Sequence, residues 1–235
     1  MLINAIWGDI TPFQAIISFA SCIVIIFISL PIHEWAHGFL STCLGDPTPR
    51  YQGRLTLNPL SHIDWLGAAG ILLFGIGWAK PVQVNARYYK SPKWGMALVA
   101  LAGPLSNLLT AFVAYFLYYL ILSILSLTGL LQDGSIWLDI IDMFFYVIAY
   151  ISIRLAVFNF LPVPPFDGSR ILFVFLPQKY YFKIMQYERF IFIGILIVLY
   201  TGILNTPITI ISEVVLWIVQ YVTYLPFNLL LGVLT

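Results

Sequence analysis

Long apolar runs dominate the pattern of this chain, and a window of about 19 residues resolves five of them, beginning near Phe13, Gly95, Ile136, Glu188 and Pro207. Each is long enough for a membrane-spanning helix. A sixth run, residues 65–79, is apolar but only about 15 residues long and interrupted by Gly67, Gly70, Gly75 and Gly77, which suits a re-entrant or interfacial segment. On either side of it, residues 51–58 and 81–85 alternate in polarity enough to predict short strands. The expected fold class is therefore all-α and polytopic: five long transmembrane helices, one short re-entrant or interfacial segment, and a small β-sheet at the cytoplasmic membrane face. The pattern predicts a single integral-membrane domain over residues 1–235, with a core at about 13–176 and additional C-terminal spans at about 188–235.

Composition agrees with a lipid environment. Hydrophobic residues make up 61% of the chain, aromatics 17% and charged residues 9%, against about a quarter charged in soluble domains. A net charge of +1 with scattered basic residues provides no phosphate-tracking surface, which excludes a nucleic-acid partner. The first Lys or Arg is Arg50, so the first apolar run lacks a cationic leader and is expected to be retained rather than cleaved. Cys22 and Cys43 are too few for a disulfide framework and read as small apolar residues.

The basic residues predict orientation. Arg50, Arg54, Lys80, Arg87, Lys90 and Lys93 fall between the first and second runs, and Arg170, Lys179, Lys183 and Arg189 between the third and fourth. By the positive-inside rule both loops are cytoplasmic. Asp9, Asp133, Asp139 and Asp142 then lie toward the opposite side, with the N-terminus outside and, after five crossings, the C-terminus inside.

Candidate chemistry sits at the end of the first run, in His33-Glu34-Trp35-Ala36-His37. Residues four apart on a helix lie about 6 Å apart on one face, so His33 and His37 can offer two imidazole nitrogens to one Zn²⁺ with Glu34 beside the metal as general base. His33 follows Phe13 by about 30 Å of helix, which puts this motif near the inner membrane boundary. Pro31 removes a backbone donor just before it and predicts a kink.

A catalytic zinc site needs a third protein ligand and an open position. The third run ends on the same membrane face in Asn159-Phe160-Leu161-Pro162-Val163-Pro164-Pro165-Phe166-Asp167-Gly168. Asp167 reads either as an N-cap for a following helix or as that ligand, and the His-Glu motif on the same side favours the ligand. His62 and Asp64 are rivals in a polar loop, where a structural role fits better. Asn107 and Asn159 are amides within apolar spans, suited to oxyanion stabilisation or to core support by helix-to-helix hydrogen bonds. Arg154 is the one cation inside a span, with snorkelling or pairing to a carbonyl as its simplest roles.

The embedded HExxH together with the distant Asn-Phe-Leu-Pro-x-Pro-Pro-x-Asp-Gly resembles the site-2 protease family of intramembrane metalloproteases, in its small prokaryotic branch. The likeness extends through Gly45-Asp46-Pro47-Thr48-Pro49, Gly53-Arg54-Leu55-Thr56-Leu57-Asn58-Pro59, His62-Ile63-Asp64, Trp78-Ala79-Lys80-Pro81-Val82 and Ala102-Gly103-Pro104-Leu105-Ser106-Asn107. The resemblance implies one Zn²⁺ per chain held by His33, His37 and Asp167, Glu34 as catalytic base, and a transmembrane, single-span protein as substrate. It also implies that the glycine-proline-asparagine stretch lines the core near the site. The last two runs carry no motif of this kind, and the sequence holds no PDZ or CBS module of the sort many relatives have.

A metal transporter built on the same three residues is the alternative from another class, but its usual repeated halves and paired interrupted helices are not visible here. An inactive scaffold of the same fold is a third reading, and the intact Glu34 argues against it.

Overall fold

The computed structural model describes residues 11–74, 78–130 and 136–234. Helix α1 (Pro12–Val24) starts in a capping box: Thr11 Oγ1 accepts the Gln14 N–H at 3.3 Å while Gln14 Oε1 accepts the Thr11 N–H at 3.1 Å. It runs into a π-helical segment, Ile25–Ser29, closed by the Leu30 N–H on the Ile25 carbonyl, and then into α2 (Leu30–Cys43). The widened turn lies directly before Pro31, where the missing N–H was expected to disturb the helix. All 32 residues, Pro12–Cys43, form one candidate membrane span with the His-Glu motif in its last third.

Short helix α3 (Thr48–Tyr51) follows, then α4 (Trp65–Phe74). The Asp64 carboxylate caps α4, accepting the N–H groups of Leu66 at 2.9 Å and Gly67 at 3.0 Å. Fully buried Ile71 joins Cys22, Ile25 and Ile26 in the core, and the Lys80 N–H returns to the His62 carbonyl at 2.8 Å. The excursion therefore begins and ends at one point while its middle packs on the first span, as a re-entrant segment does. Gly75 and Gly77 lie outside the described residues.

Helix α5 (Pro92–Leu127) and helix α6 (Ile136–Asn159) form the centre of the bundle. They run antiparallel. Asn107 and Ser152 meet around Ser29 at one level, and the rings of Tyr118 and Phe145 are 6.3 Å apart at another. Beyond α6 come α7 (Asp167–Leu172), α8 (Gln178–Gln186), α9 (Glu188–Tyr200) and α10 (Asn205–Leu234), the last packing on α5 and α6. Asp9 and Asp133 lie outside the described residues.

Two expectations need correction. Four helices among the described residues, not five, are long and apolar enough to cross a membrane: Pro12–Cys43, Pro92–Leu127, Ile136–Asn159 and Asn205–Leu229. The run beginning at Glu188 becomes the 13-residue α9, about 20 Å of helix against about 30 Å of hydrocarbon. It ends in a turn at residues 201–204, across which a hydropathy average passes unchanged. The small β-sheet is also absent, since no strand occurs among the described residues. Tyr51 closes α3, and residues 81–85 form no ladder, the donors at 82 and 85 being taken by side chains. Pro81 has no N–H, Val82 donates to the Glu34 carboxylate at 2.8 Å, and Asn85 donates to the Asp46 carboxylate at 2.7 Å.

Candidate metal centre

The i, i+4 spacing on α2 places His33 and His37 one turn apart, with imidazole Nε2 atoms 3.1 Å from each other. Asp167 Oδ2 lies 3.5 Å from His33 Nε2 and 3.3 Å from His37 Nε2. Two imidazole nitrogens facing each other at this distance require a cation or a shared proton between them. Ligand atoms of a tetrahedral Zn²⁺ with bonds of about 2.0–2.1 Å stand about 3.3–3.4 Å apart, so the three donors fit such an ion. They are the one group of three such side chains among the described residues placed to hold a metal ion.

Asp167 reaches the histidines because the 160–166 segment folds back beneath α6. Pro162, Pro164 and Pro165 cannot continue a helix, the Phe158 and Phe166 rings pack 4.4 Å apart, and the Phe166 N–H closes on the Val163 carbonyl at 3.1 Å. Asp167 is the first residue of α7 and Phe166 its cap, so the carboxylate is free to face the histidines.

Each histidine is oriented from behind. His37 Nδ1 sits 2.7 Å from the Val99 carbonyl, which can only accept; Nδ1 therefore carries a proton, and Nε2 is the ring atom left for a metal. His33 Nδ1 sits 3.1 Å from Asn107 Nδ2. If His33 is to ligate through Nε2 its Nδ1 must also be protonated, and the Asn107 oxygen then has to face it. Exchanging the two amide atoms meets that need and turns the nitrogen toward Ser29 Oγ, 3.3 Å from the amide, which is in turn 3.3 Å from Ser152 Oγ. A buried polar chain thus links α6, the π-segment, α5 and His33. Gly103, one turn before Asn107, leaves the space that the two imidazoles fill.

Glu34 is buried beside His33, its Oε2 accepting the Val82 N–H at 2.8 Å. The other residues singled out in the sequence are placed elsewhere. Asn159 donates its amide to the Leu155 carbonyl of its own helix at 3.0 Å. His62 is fully buried with Nε2 at 2.8 Å from the Thr56 carbonyl, and Asp64 caps α4. The Arg154 guanidinium stands 5.6 Å from the Tyr150 ring centroid, a cation–π contact within α6. Ser29, Ser152 and Val82 belong to the surroundings of the site but carry no local sequence signal, being common residue types at unremarked positions.

Two imidazoles and an adjacent glutamate on one membrane-length helix, with a carboxylate from the turn that follows another, make the donor set of a metal-dependent hydrolase in a multi-pass membrane protein. The chain belongs to peptidase family M50, the site-2 protease family, whose family model matches residues 21–201. It is 36% identical over 180 residues to YwhC of Bacillus subtilis strain 168, described as a candidate zinc metalloprotease, an alignment spanning 76% of this chain and 80% of that protein. Rip2 of Mycolicibacterium smegmatis, described in the same terms, is 28% identical over 190 residues, 76% of this chain and 66% of its own. A third such protein, from Methanocaldococcus jannaschii, is 34% identical over 104 residues, 43% of this chain and 46% of its own. No solved structure matches the chain.

Proposed function

We propose that this chain is a zinc-dependent intramembrane endopeptidase that hydrolyses a peptide bond within or near the transmembrane segment of a single-span protein. The observation that carries this reading is the convergence of His33, His37 and Asp167 donor atoms to 3.1–3.5 Å, with Glu34 next to them, inside a helical bundle of membrane length. Membership of the peptidase family supports it. When bound at these donors, Zn²⁺ polarises the scissile carbonyl and acidifies the attacking water.

The chain's own groups do the rest. Glu34 accepts the proton of the water as it attacks and returns it to the nitrogen of the leaving amine, so that both halves of the broken bond leave neutral or stably charged. Val99 holds His37, and Asn107 with its amide oxygen turned to Nδ1 holds His33, in the tautomer that exposes Nε2. The surrounding helices keep bulk water low, which strengthens each charge interaction at the site. In the membrane, the two basic loops face the cytoplasm, the N-terminus lies outside and the site opens near the cytoplasmic side.

The test is a single-span substrate co-expressed with the full chain. Wild type cleaves it; Glu34→Gln does not but keeps about one zinc per chain, because the base is not a ligand. Cleavage by the Gln variant, or zinc loss from it, overturns the assignment of Glu34.

A further inference from the structure

Residues 78–85 lie across the motif helix as a strap with three anchors. The Lys80 N–H holds the His62 carbonyl at 2.8 Å, the Val82 N–H holds Glu34 Oε2 at 2.8 Å, and the Asn85 N–H holds Asp46 Oδ2 at 2.7 Å. The outer two anchors are buried. Asp46 is fully buried and also accepts Ser41 Oγ at 2.7 Å and the Thr48 N–H at 2.9 Å, while His62 is fully buried as well. Gly38, four residues after Glu34 and on the same helix face, lies against the strap: a Cβ there would lie 3.4 Å from Val82 Cγ1, an ordinary contact distance, and 3.3 Å from Pro49 Cβ.

We propose that the backbone N–H of Val82 is a positioning group for Glu34, and this rests on Glu34 being the base. A carboxylate on three rotatable bonds, buried in a low-dielectric site, has no reason to stay in one place without a donor. One charge-assisted hydrogen bond to Oε2 fixes the group and leaves Oε1 to take the proton of the attacking water. Pro81 contributes no donor, so the N–H that meets Glu34 is Val82's alone in this stretch. The strap is then part of the machinery that aims the base. The alternative is a strap whose N–H groups serve only as an edge for an extended substrate; at position 82 that edge donor is already committed.

The test replaces the Val82 amide by an ester, using the 2-hydroxy analogue of valine in the full-length protein, and compares it with Val82→Pro. Both remove the N–H. Expected are a kcat lower by about tenfold or more, KM within about twofold of wild type, and unchanged zinc content. Hydrogen exchange at the Val82 amide gives a second readout without turnover: protected in wild type and in Glu34→Gln, whose amide oxygen still accepts, and fast in Glu34→Ala. Full kcat in the ester variant, a raised KM with kcat intact, or exchange indifferent to Glu34→Ala overturns the proposal. Should Glu34→Gln itself cleave at the wild-type rate, the base assignment fails; should it be inactive while the ester is fully active, only the role of Val82 fails.

Discussion

A methyl group on Gly103 would come within 2.3 Å of His37 Nε2 and 2.5 Å of His33 Cε1. Neither imidazole can yield without leaving its hydrogen-bond partner, because Val99 and Asn107 hold the opposite nitrogens. Gly103→Ala is therefore expected to weaken zinc binding by about 100-fold or more, beyond the usual loss for an outer-shell change. The helix itself gains: alanine inside α5 is favoured over glycine by about 1 kcal/mol. Zinc competition titration and thermal unfolding of the metal-free protein read the two consequences: affinity falls, and because the imidazoles are displaced from Val99 and Asn107 without metal too, the apo melting temperature falls as well, the lost hydrogen bonds outweighing the helix gain. Unchanged affinity would mean that the site is not confined as described.

The Asn107 amide yields a second prediction through proton bookkeeping. In the metal-ligating tautomer, His33 Nδ1 donates, so position 107 must accept. Asn107→Leu is expected to cost about 10–100-fold in zinc affinity, whereas Asn107→Asp, which accepts but cannot donate, stays within about tenfold of wild type. Equal losses in both variants would show that Asn107 acts as a donor and that His33 binds through another tautomer.

The three candidate ligands that the structure brings together could be singled out in the sequence because each rests on local chemistry. A helix puts residues 33 and 37 on one face, and three prolines before Asp167-Gly168 force a chain reversal whose carboxylate the topology returns to the same membrane side. Asn107 and Asn159 stood on equal footing, as amides in apolar spans; only tertiary placement separates the one touching His33 from the one serving its own helix. The strap was misread for a related reason. Alternation at 81–85 describes an extended chain but not the destination of its donors, and two buried carboxylates compete successfully with any partner strand. The missing fifth span is a failure of averaging, since apolar windows do not register the turn that ends α9.

Asp46 joins the end of α2 to the strap, and its ionisation should be visible in stability. Burial would raise its pKa, but donors from Thr48, Asn85 and Ser41 outweigh that and lower it. A carboxyl with a depressed folded pKa contributes stability that is present above its unfolded value, near 3.9, and lost as pH falls through the folded value. Asp46→Asn turns an acceptor into a donor facing other donors, and is expected to cost about 1–3 kcal/mol at pH 7. Unfolding in detergent should show the gap between wild type and variant shrinking below about pH 4. A gap independent of pH would place the effect in packing rather than in charge.

The metal centre requires the chain after α2 and the chain after α6 to emerge on one membrane face. The structure joins them directly: Lys93, at the start of α5, donates its ammonium to the Leu176 carbonyl just beyond α7. Nearby Lys90 and Lys179 are exposed, which makes both accessible to a charged thiol reagent after replacement by cysteine. Single cysteines at 90 and 179 are expected to react from the same side, and by the excess of Lys and Arg in these loops that side is the cytoplasm. The count that placed the C-terminus there does not carry over, because four helices rather than five are long enough to cross. Labelling in sealed cells and in inverted vesicles decides the matter. Reaction of positions 90 and 179 from opposite sides would separate Asp167 from His33 and His37 by a bilayer, and no zinc site could then be built from the three.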